Sequence, residues 1–353
     1  MYPRLNIKMK HFLHNIDFIT QEFAFLDELY VVTKVHCANM AIIAELYEHG
    51  IRHFADSRIA NIKKIKEKYP DTKTMHLRLP MHSEVDEVVK YADRSLNSEL
   101  STIALLDQAA QKQQKIHEVL LMIDMGDLRE GIMYDSDYVA FVKEILVFNN
   151  IKLMGIGTNV TCYGSVIPTK ETLALLIDIR NAIEKELHIK LPIISGGNSS
   201  SIYLHFDNQL PSEINNLRCG DIFASGVEAA FLKPIAGMYN DIFQLEAEII
   251  ELKDKPSYPI GQLGVNAFGE TIAYEDVGIH TRAILAVGRQ DVHNDNVIPL
   301  DKNSTVLGSS SDHLLLEVEK GKYQVGDTMK FDLTYGGILS LATSPYVQKV
   351  IIK

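Results

Sequence analysis

The chain has 353 residues, of which 46% are hydrophobic, and a formal net charge of −11. This composition is ordinary for a globular protein with one large domain, or one large and one smaller domain. The acidic balance argues against nucleic acid and anionic membrane as partners, because both require clustered lysine and arginine. No apolar run approaches the roughly 20 residues of a membrane span, and Met1–Lys10 lacks a signal-peptide core. We therefore expect a cytoplasmic protein.

Helical and strand-like segments alternate as far as residue 232. Amphipathic periodicity predicts seven helices. They are His11–Leu29, Met40–His49, Ile59–Tyr69, Glu84–Ala92, Ser101–Gln114, Ser136–Asn149 and Thr169–Leu187. Short β-branched, apolar runs lie between them, from Tyr30–Thr33 to the segment that starts at Asn216. Eight βα units in about 230 residues are typical of a (β/α)8 barrel.

Beyond the barrel the pattern becomes β-rich, with Gly, Asp and Pro between short segments. The predicted strands are Phe243–Leu252, Ala283–Val287, His313–Val318, Thr328–Leu333 and Val347–Ile352. They indicate a C-terminal antiparallel β-domain. The fold prediction is thus an α/β barrel over residues 1–235, followed by a β-domain over residues 236–353.

Lys34 follows the first predicted strand directly. In a (β/α)8 barrel the carboxyl ends of the strands carry the active site. A partly desolvated amine there can form a Schiff base with an aldehyde cofactor, although a solvated lysine at a strand end would look the same.

Three other polar motifs follow predicted strands. In Ser195–Ser201, two glycines and a run of hydroxyls suit a phosphate group, although a simple turn would share this composition. Arg218, at the next strand end, could grip an anion or donate to a pyridine nitrogen. Arg129 could hold a substrate carboxylate bidentately. A structural ion pair would explain either arginine as well.

Together these motifs resemble the alanine-racemase-like, fold-type III family of pyridoxal phosphate enzymes, over nearly the whole chain. The resemblance implies that Lys34 is the Schiff-base lysine, that Arg218 pairs with the pyridine nitrogen, and that Arg129 lies between a cofactor oxygen and the substrate carboxylate. The residues that match the family's phosphate contacts are Asn198, Ser199, Gly220 and Asp221.

The chain is most similar, within that family, to the ornithine racemase branch. The phrases that carry the likeness are Asp56–Arg58, Leu77–Pro80, Leu96–Glu99, Met125–Gly131, Gly157–Gly164 and Ser195–Ser201. The resemblance implies a cofactor-dependent isomerase that interconverts L- and D-ornithine or a related basic amino acid. It also implies a homodimer in which the β-domain of one chain completes the site of the other.

Two positions depart from alanine racemase. Arg289 stands where that enzyme has the tyrosine base contributed by the partner subunit, and Asn159 stands where a histidine stacks on the cofactor. A racemase needs a base on each face of the reacting carbon, so another residue must serve. The candidates for this second catalytic base, in order of preference, are His313, Tyr335 and Cys162.

The β-domain phrases Ser310–His313 and Val325–Asp327 also resemble D-threonine aldolases and D-serine dehydratases, which bind a divalent metal there. The other ligand segment reads Thr334–Gly336 in this chain and has no His or Cys, so we expect no metal. The cysteines number three, Cys37, Cys162 and Cys219, and form neither a disulfide framework nor a zinc motif. Each could be an apolar filler.

A cationic substrate side chain requires a carboxylate in the pocket, since an unpaired buried charge is costly. Asp127 is the first candidate, with Glu130, Asp291 and Asp312 as alternatives. Three rival functions stay open: an alanine racemase, a metal-dependent aldolase or dehydratase of D-hydroxy amino acids, and a non-catalytic pyridoxal phosphate protein. The last is less expected, because its relatives are single barrels.

Overall fold

The chain forms two compact units in the computed structural model, which describes residues 1–353. One unit is Phe12–Asn240, and the other combines Met1–His11 with Asp241–Lys353. The division differs from the expected boundary between residues 235 and 236 in two ways. It falls five residues later, and the N-terminal segment, which is expected to belong to the barrel, pairs with the C-terminal sheet.

The larger unit is a closed barrel of eight parallel strands, as predicted. In chain order they are Glu28–Val32, His53–Asp56, Lys73–His76, Arg94–Asn97, His117–Asp124, Ile151–Gly157, Ile193–Ser195 and Asn216–Cys219. Each strand pairs with the next one along the chain, and the eighth pairs with the first, which closes the barrel. A two-residue strand, Ile132–Met133, extends the edge of the fifth.

The helices agree with the predicted periodicity to within a few residues, except at the end of the first. They are Met9–Glu22, Met40–Glu48, Ile59–Lys68, Val85–Tyr91, Leu100–Lys112, Tyr138–Ile145 and Lys170–Leu187, followed by the short Ile202–Phe206 and Asp221–Ser225. Polar side chains cap several of them: Asp137, for example, accepts a hydrogen bond of 2.9 Å from the Ala140 amide. The first helix ends at Glu22 rather than Leu29.

Apolar side chains fill the barrel interior. They are Tyr30, Val32, Ala55, Met75, Leu96, Leu120, Met122 and Ile193, all buried. Strands of a parallel sheet are covered on both faces, so their sequences are nearly continuously apolar, and burial of each large side chain contributes about 1.5–3 kcal/mol. The site must therefore be built from the residues at the strand ends.

A polar cluster lies at the amino ends of the barrel strands. The buried Arg94 begins the fourth strand, and its NH1 lies 2.6 Å from Glu28 Oε2, at the start of the first strand. Its NH2 lies 2.7 Å from Glu118 Oε2, near the start of the fifth. A buried guanidinium requires such partners, so this cluster fixes the base of the barrel.

The smaller unit is a sheet of eight strands. They are Arg4–Lys8, Phe243–Pro256, Ile279–Leu285, Val297–Pro299, Thr305–Ser309, Leu314–Glu317, Thr328–Leu333 and Gln348–Ile352. All pairings are antiparallel except that of Arg4–Lys8 with Gln348–Ile352, which is parallel. A helix, Tyr335–Thr343, precedes the last strand. The predicted antiparallel β-domain is confirmed, with this N-terminal strand added.

None of the helices combines the length and the apolar content that a membrane span requires.

Candidate active site

Lys34 lies in a single 3-10 turn, Thr33–His36, that follows the first barrel strand. The turn closes through the Ala38 amide, which donates to the Thr33 carbonyl at 3.0 Å. Cys37 and Ala38 adopt left-handed backbone angles, with φ of 54° and 44°. Such angles are unfavourable for residues other than glycine, so neighbouring contacts must hold the turn in place.

Asp56, at the end of the second strand, supplies one of those contacts. Its fully buried carboxylate accepts 2.6 Å and 2.8 Å hydrogen bonds from the Thr33 hydroxyl and the Arg58 amide, and 3.2 Å bonds from Asn61. Burial raises the pKa of Asp56, while these donors and the charge of Lys34 act in the opposite direction. The carboxylate thus organises the loop beside Lys34.

The loop after the seventh strand is shaped by its glycines. Gly197 has φ of +113°, and a Cβ on Gly196 would lie 2.6 Å from the Ile214 side chain. Asn198 then caps the turn Ser199–Ser201 by accepting a 2.7 Å hydrogen bond from the Ser200 amide. The predicted phosphate segment is therefore a tight turn whose backbone can approach a ligand closely.

Ser199 joins this turn to the loop after the eighth strand. Its hydroxyl oxygen, in a side chain that is 3% exposed, accepts hydrogen bonds of 3.3 Å from the Gly220 and Ile222 amides. Two N–H groups that converge on one oxygen form a site suited to an anion. The structure thus brings together Ser199 and Gly220, both expected to contact phosphate, and adds the Ile222 amide, which sequence reasoning missed.

Asp221, in the same loop, has a different environment. Its Oδ1 is buried without a hydrogen-bond partner. Burial raises the pKa of Asp221 to about 6, against the opposing effects of Ser225 and Lys34. A carboxylate is itself an anion, so the backbone at residue 221 suits a phosphate contact and the side chain does not.

Arg218 points into the barrel from the eighth strand and is 4% exposed. Its NH1 donates to Ser195 Oγ, and its NH2 donates to the Thr158 carbonyl at 2.7 Å. It has no ion pair, and burial lowers the pKa of Arg218 to about 10. Nearby, Thr158 Oγ1 and Asn159 Nδ2 are buried without hydrogen-bond partners. This region therefore keeps polar groups that a ligand could satisfy.

Arg129 and Glu130 form a close pair after the fifth strand. Arg129 NH2 lies 2.5 Å from Glu130 Oε1, and its Nε also donates to this carboxylate. The Glu130 side chain is only 14% exposed and its charge acts on Arg218. Cys162 is exposed, interacts with Arg129, and lies 3.5 Å from Asn198 Nδ2. Arg129, Glu130, Cys162 and Asn198 belong to three different loops and lie close together.

Asp127 does not have the environment expected of a substrate ligand. It is fully buried, and its carboxylate accepts hydrogen bonds of 3.0–3.2 Å from the amides of Thr161, Tyr163 and Val166. A carboxylate with three backbone donors is already satisfied. Asp127 thus holds the loop that carries Cys162, and its contact with the substrate stays a prediction.

In the smaller unit, His313 lies next to Asp312. Its Nδ1 is 2.9 Å from Asp312 Oδ1, and its side chain is 41% exposed. Tyr335 is the first residue of the helix Tyr335–Thr343, whose N-cap is Thr334. Asp291, a further candidate for binding a cationic substrate, is buried and accepts a 2.6 Å hydrogen bond from Ser344.

Arg289 has a defined role within the same unit. It forms a bidentate ion pair with Glu270 at 2.8 and 2.9 Å and lies over the ring of Phe268 at 4.0 Å. The Arg289 side chain holds the pKa of Glu270 down, at about 2. A guanidinium cannot act as a base at physiological pH, so this position does not supply the base that a tyrosine would.

Comparison with known proteins agrees with this arrangement. Residues 7–225 match the family model described as "Alanine racemase, N-terminal domain". The chain is 46% identical to an ornithine racemase of Acetoanaerobium sticklandii, with 100% of both chains covered. It is 36% identical to a lysine racemase of Thermotoga maritima, with 99% of this chain and 98% of the relative covered.

Solved structures show the same fold at lower sequence identity. An alanine racemase from Bartonella henselae, with covalently bound pyridoxal phosphate, superimposes with a TM-score of 0.73 at 17% identity, and 100% of each chain is covered. The resemblance drawn from the strand-end motifs is confirmed. The chain belongs to the alanine racemase family and is an amino-acid racemase.

Proposed function

We propose that this enzyme binds pyridoxal phosphate at the carboxyl ends of the barrel strands and racemises ornithine or a related basic amino acid. The observation that carries the proposal is strand adjacency. Lys34 follows the first strand, Ser199 follows the seventh and Arg218 lies in the eighth, and these three strands are neighbours in the closed barrel. Residues from adjacent strand ends can reach one small ligand.

The residues present fit the parts of this cofactor. Ser199 and the amides of Gly220 and Ile222 would hold the phosphate, Arg218 the ring nitrogen, and Lys34 the aldehyde carbon. When bound, pyridoxal phosphate acts as an electron sink that acidifies the Cα proton of an amino acid. Arg218 is a donor only, so it leaves the ring nitrogen as an acceptor, which limits charge delocalisation and side reactions such as transamination.

Substrate binding would use the pair of charged residues after the fifth strand. Arg129 is suited to a carboxylate because its planar donors can bind two oxygens at once. With Asp127 committed to backbone amides, Glu130 is the barrel carboxylate best suited to the distal ammonium group of the substrate. The relatives named for ornithine and lysine racemases support a basic substrate.

Inversion at Cα requires one base on each face. Lys34 would move the proton on one face. His313 stays the first candidate for the other, supported by Asp312, which determines which ring nitrogen carries the proton. Tyr335 and Cys162 follow. A homodimer in which each β-domain completes the site of the other chain, and a cytoplasmic location, complete the proposal.

The test is incubation of the cofactor-loaded enzyme with L-ornithine in D2O, read by chiral chromatography and by the Cα–H NMR signal. We expect D-ornithine to accumulate towards an equal mixture with deuterium at Cα. A Lys34→Ala variant should lose both the visible absorbance of bound cofactor and turnover. Exchange with alanine but not with ornithine or lysine would reject the basic substrate, and turnover by Lys34→Ala would reject the site.

A further inference from the structure

A continuous chain of hydrogen bonds leads from Arg218 into the barrel. Arg218 NH1 donates to Ser195 Oγ, which donates to Asn216 Oδ1, and Asn216 Nδ2 donates to Glu28 Oε2 at 2.9 Å. We call Ser195, Asn216 and Glu28 the relay. It connects a buried cation in the site to a carboxylate at the base of the barrel.

Strand register builds the relay. Asn216 is paired directly with Ser195 on the seventh strand and with Glu28 on the first. Arg218 lies two residues beyond Asn216, so both side chains point to the same face of the sheet. Gly157 lies on the sixth strand, where it is paired with Ser195, and leaves space for the relay. A Cβ there would lie 2.9 Å from Ser195 Cβ and 3.5 Å from Arg218 NH1.

The direction of every bond in the relay is determined by chemistry. A guanidinium only donates, so Ser195 must accept from Arg218 and give its single proton to the Asn216 carbonyl. The Asn216 amide then presents its NH2 group to the Glu28 carboxylate, which can only accept. Ser195 and Asn216 are fully buried, where an unmade hydrogen bond is costly. Each member therefore has one favoured orientation.

The far end of the relay is fixed as well. Glu28 Oε2 also accepts a 2.6 Å hydrogen bond from Arg94, which is 2% exposed. At the near end, the hydrogen bonds that Arg218 donates go to Ser195 and to the Thr158 carbonyl. The Arg218 guanidinium is thus oriented by a rigid hydrogen-bond network on its barrel side rather than by an ion pair of its own.

We infer that Ser195, Asn216 and Glu28 are positioning residues that hold the Arg218 guanidinium in the orientation required by the cofactor ring. This inference rests on the proposed function. Because a small misplacement of a catalytic group has large kinetic effects, loss of the relay should lower kcat more than it raises KM. It should also change the environment of the ring nitrogen, which the visible spectrum of the bound cofactor reports.

The experiment compares the holoenzymes of Ser195→Ala, Glu28→Gln and the matched control Glu118→Gln. Glu118 also pairs with Arg94 at the base of the barrel but makes no hydrogen bond to the relay. We expect Ser195→Ala to lower kcat by roughly 10- to 100-fold and to shift the absorption maximum. Glu28→Gln should act in the same direction, and Glu118→Gln should retain the wild-type kcat and spectrum.

Two results would overturn the inference. One is a wild-type spectrum and kcat in Ser195→Ala. The other is an equal loss in Glu28→Gln and Glu118→Gln that follows their thermal stability, since this would make Glu28 merely structural. If the wild-type enzyme had no racemase activity, the proposed function would be rejected instead. The absorption spectra of the bound cofactor would still test whether the relay orients Arg218.

Discussion

Thr33 Oγ1 donates a 2.6 Å hydrogen bond to Asp56 Oδ2, which ties the turn carrying Lys34 to the end of the second barrel strand. Both residues are fully buried. Cys37 and Ala38, which directly follow the turn, adopt left-handed angles, so the geometry of this segment depends on contacts of this kind rather than on local backbone preference.

Replacement of Asp56 by Asn should therefore disturb the turn. The amide NH2 group would face donors that need an acceptor, and unsatisfied buried groups cost about 1–3 kcal/mol each. We expect a lower free energy of unfolding in urea and a loss of turnover. Thr33→Ser, which keeps the hydroxyl, is the control. Wild-type stability in Asp56→Asn would contradict this role.

Asp221 should make stability depend on pH. Burial raises the pKa of Asp221 from its ordinary value of 3.8 to about 6, so the folded state binds the proton more tightly than the unfolded chain does. Stability from this group is fully present below about pH 4 and is lost as pH rises to 6. The difference amounts to about 3 kcal/mol.

Urea unfolding of the cofactor-free wild type and of Asp221→Asn, measured at several values between about pH 4 and pH 7, isolates this effect. We expect the wild type to lose stability relative to the variant as pH rises. Parallel curves would contradict the raised pKa of Asp221. The comparison cancels the contributions of other titrating groups, such as the buried His36, His76 and His117, because they are common to both proteins.

Replacement of Glu130 and replacement of Asp127 should have different effects on substrate kinetics. Glu130→Gln removes the charge proposed to bind the distal ammonium, so KM for ornithine should rise by about tenfold, and KM for an uncharged amino acid should rise less. Asp127→Asn should instead weaken turnover of every substrate, because it loosens the loop that contains Cys162. A loss in Asp127→Asn that is selective for ornithine would instead support a contact between Asp127 and the substrate.

The second base can be identified by isotope exchange. Loss of that base should abolish inversion but leave Cα–H exchange in the enantiomer whose proton faces Lys34. We expect this outcome for His313→Asn, measured by NMR in D2O separately for L- and D-ornithine. Tyr335→Phe and Cys162→Ser are the matched alternatives. The same pattern in either of these, with normal inversion in His313→Asn, would move the assignment.

Sequence alone was sufficient to predict the barrel and the neighbourhood of Lys34, Ser199 and Arg218. The carboxyl ends of parallel strands meet at one end of a barrel, so residues distant along the chain could be grouped by strand number alone. No knowledge of individual contacts was needed. The helices could be predicted by a separate argument, because amphipathic periodicity depends only on local sequence.

The role of Asp127 could not be predicted in this way. Its partners are backbone amides between residues 161 and 166, and backbone donors leave no signal in the side-chain sequence. The relay was hidden for a related reason. Ser195 and Asn216 are inconspicuous polar residues within strands, and only the register of three strands makes them neighbours.

The pairing of Arg4–Lys8 with Gln348–Ile352 builds the smaller unit from both ends of the chain. During synthesis the first of these strands emerges before the barrel, and its parallel neighbour emerges more than three hundred residues later. The barrel can therefore fold while Arg4–Lys8 is still unpaired. In this respect the barrel is an insertion, and shortening either end of the chain would damage the same sheet.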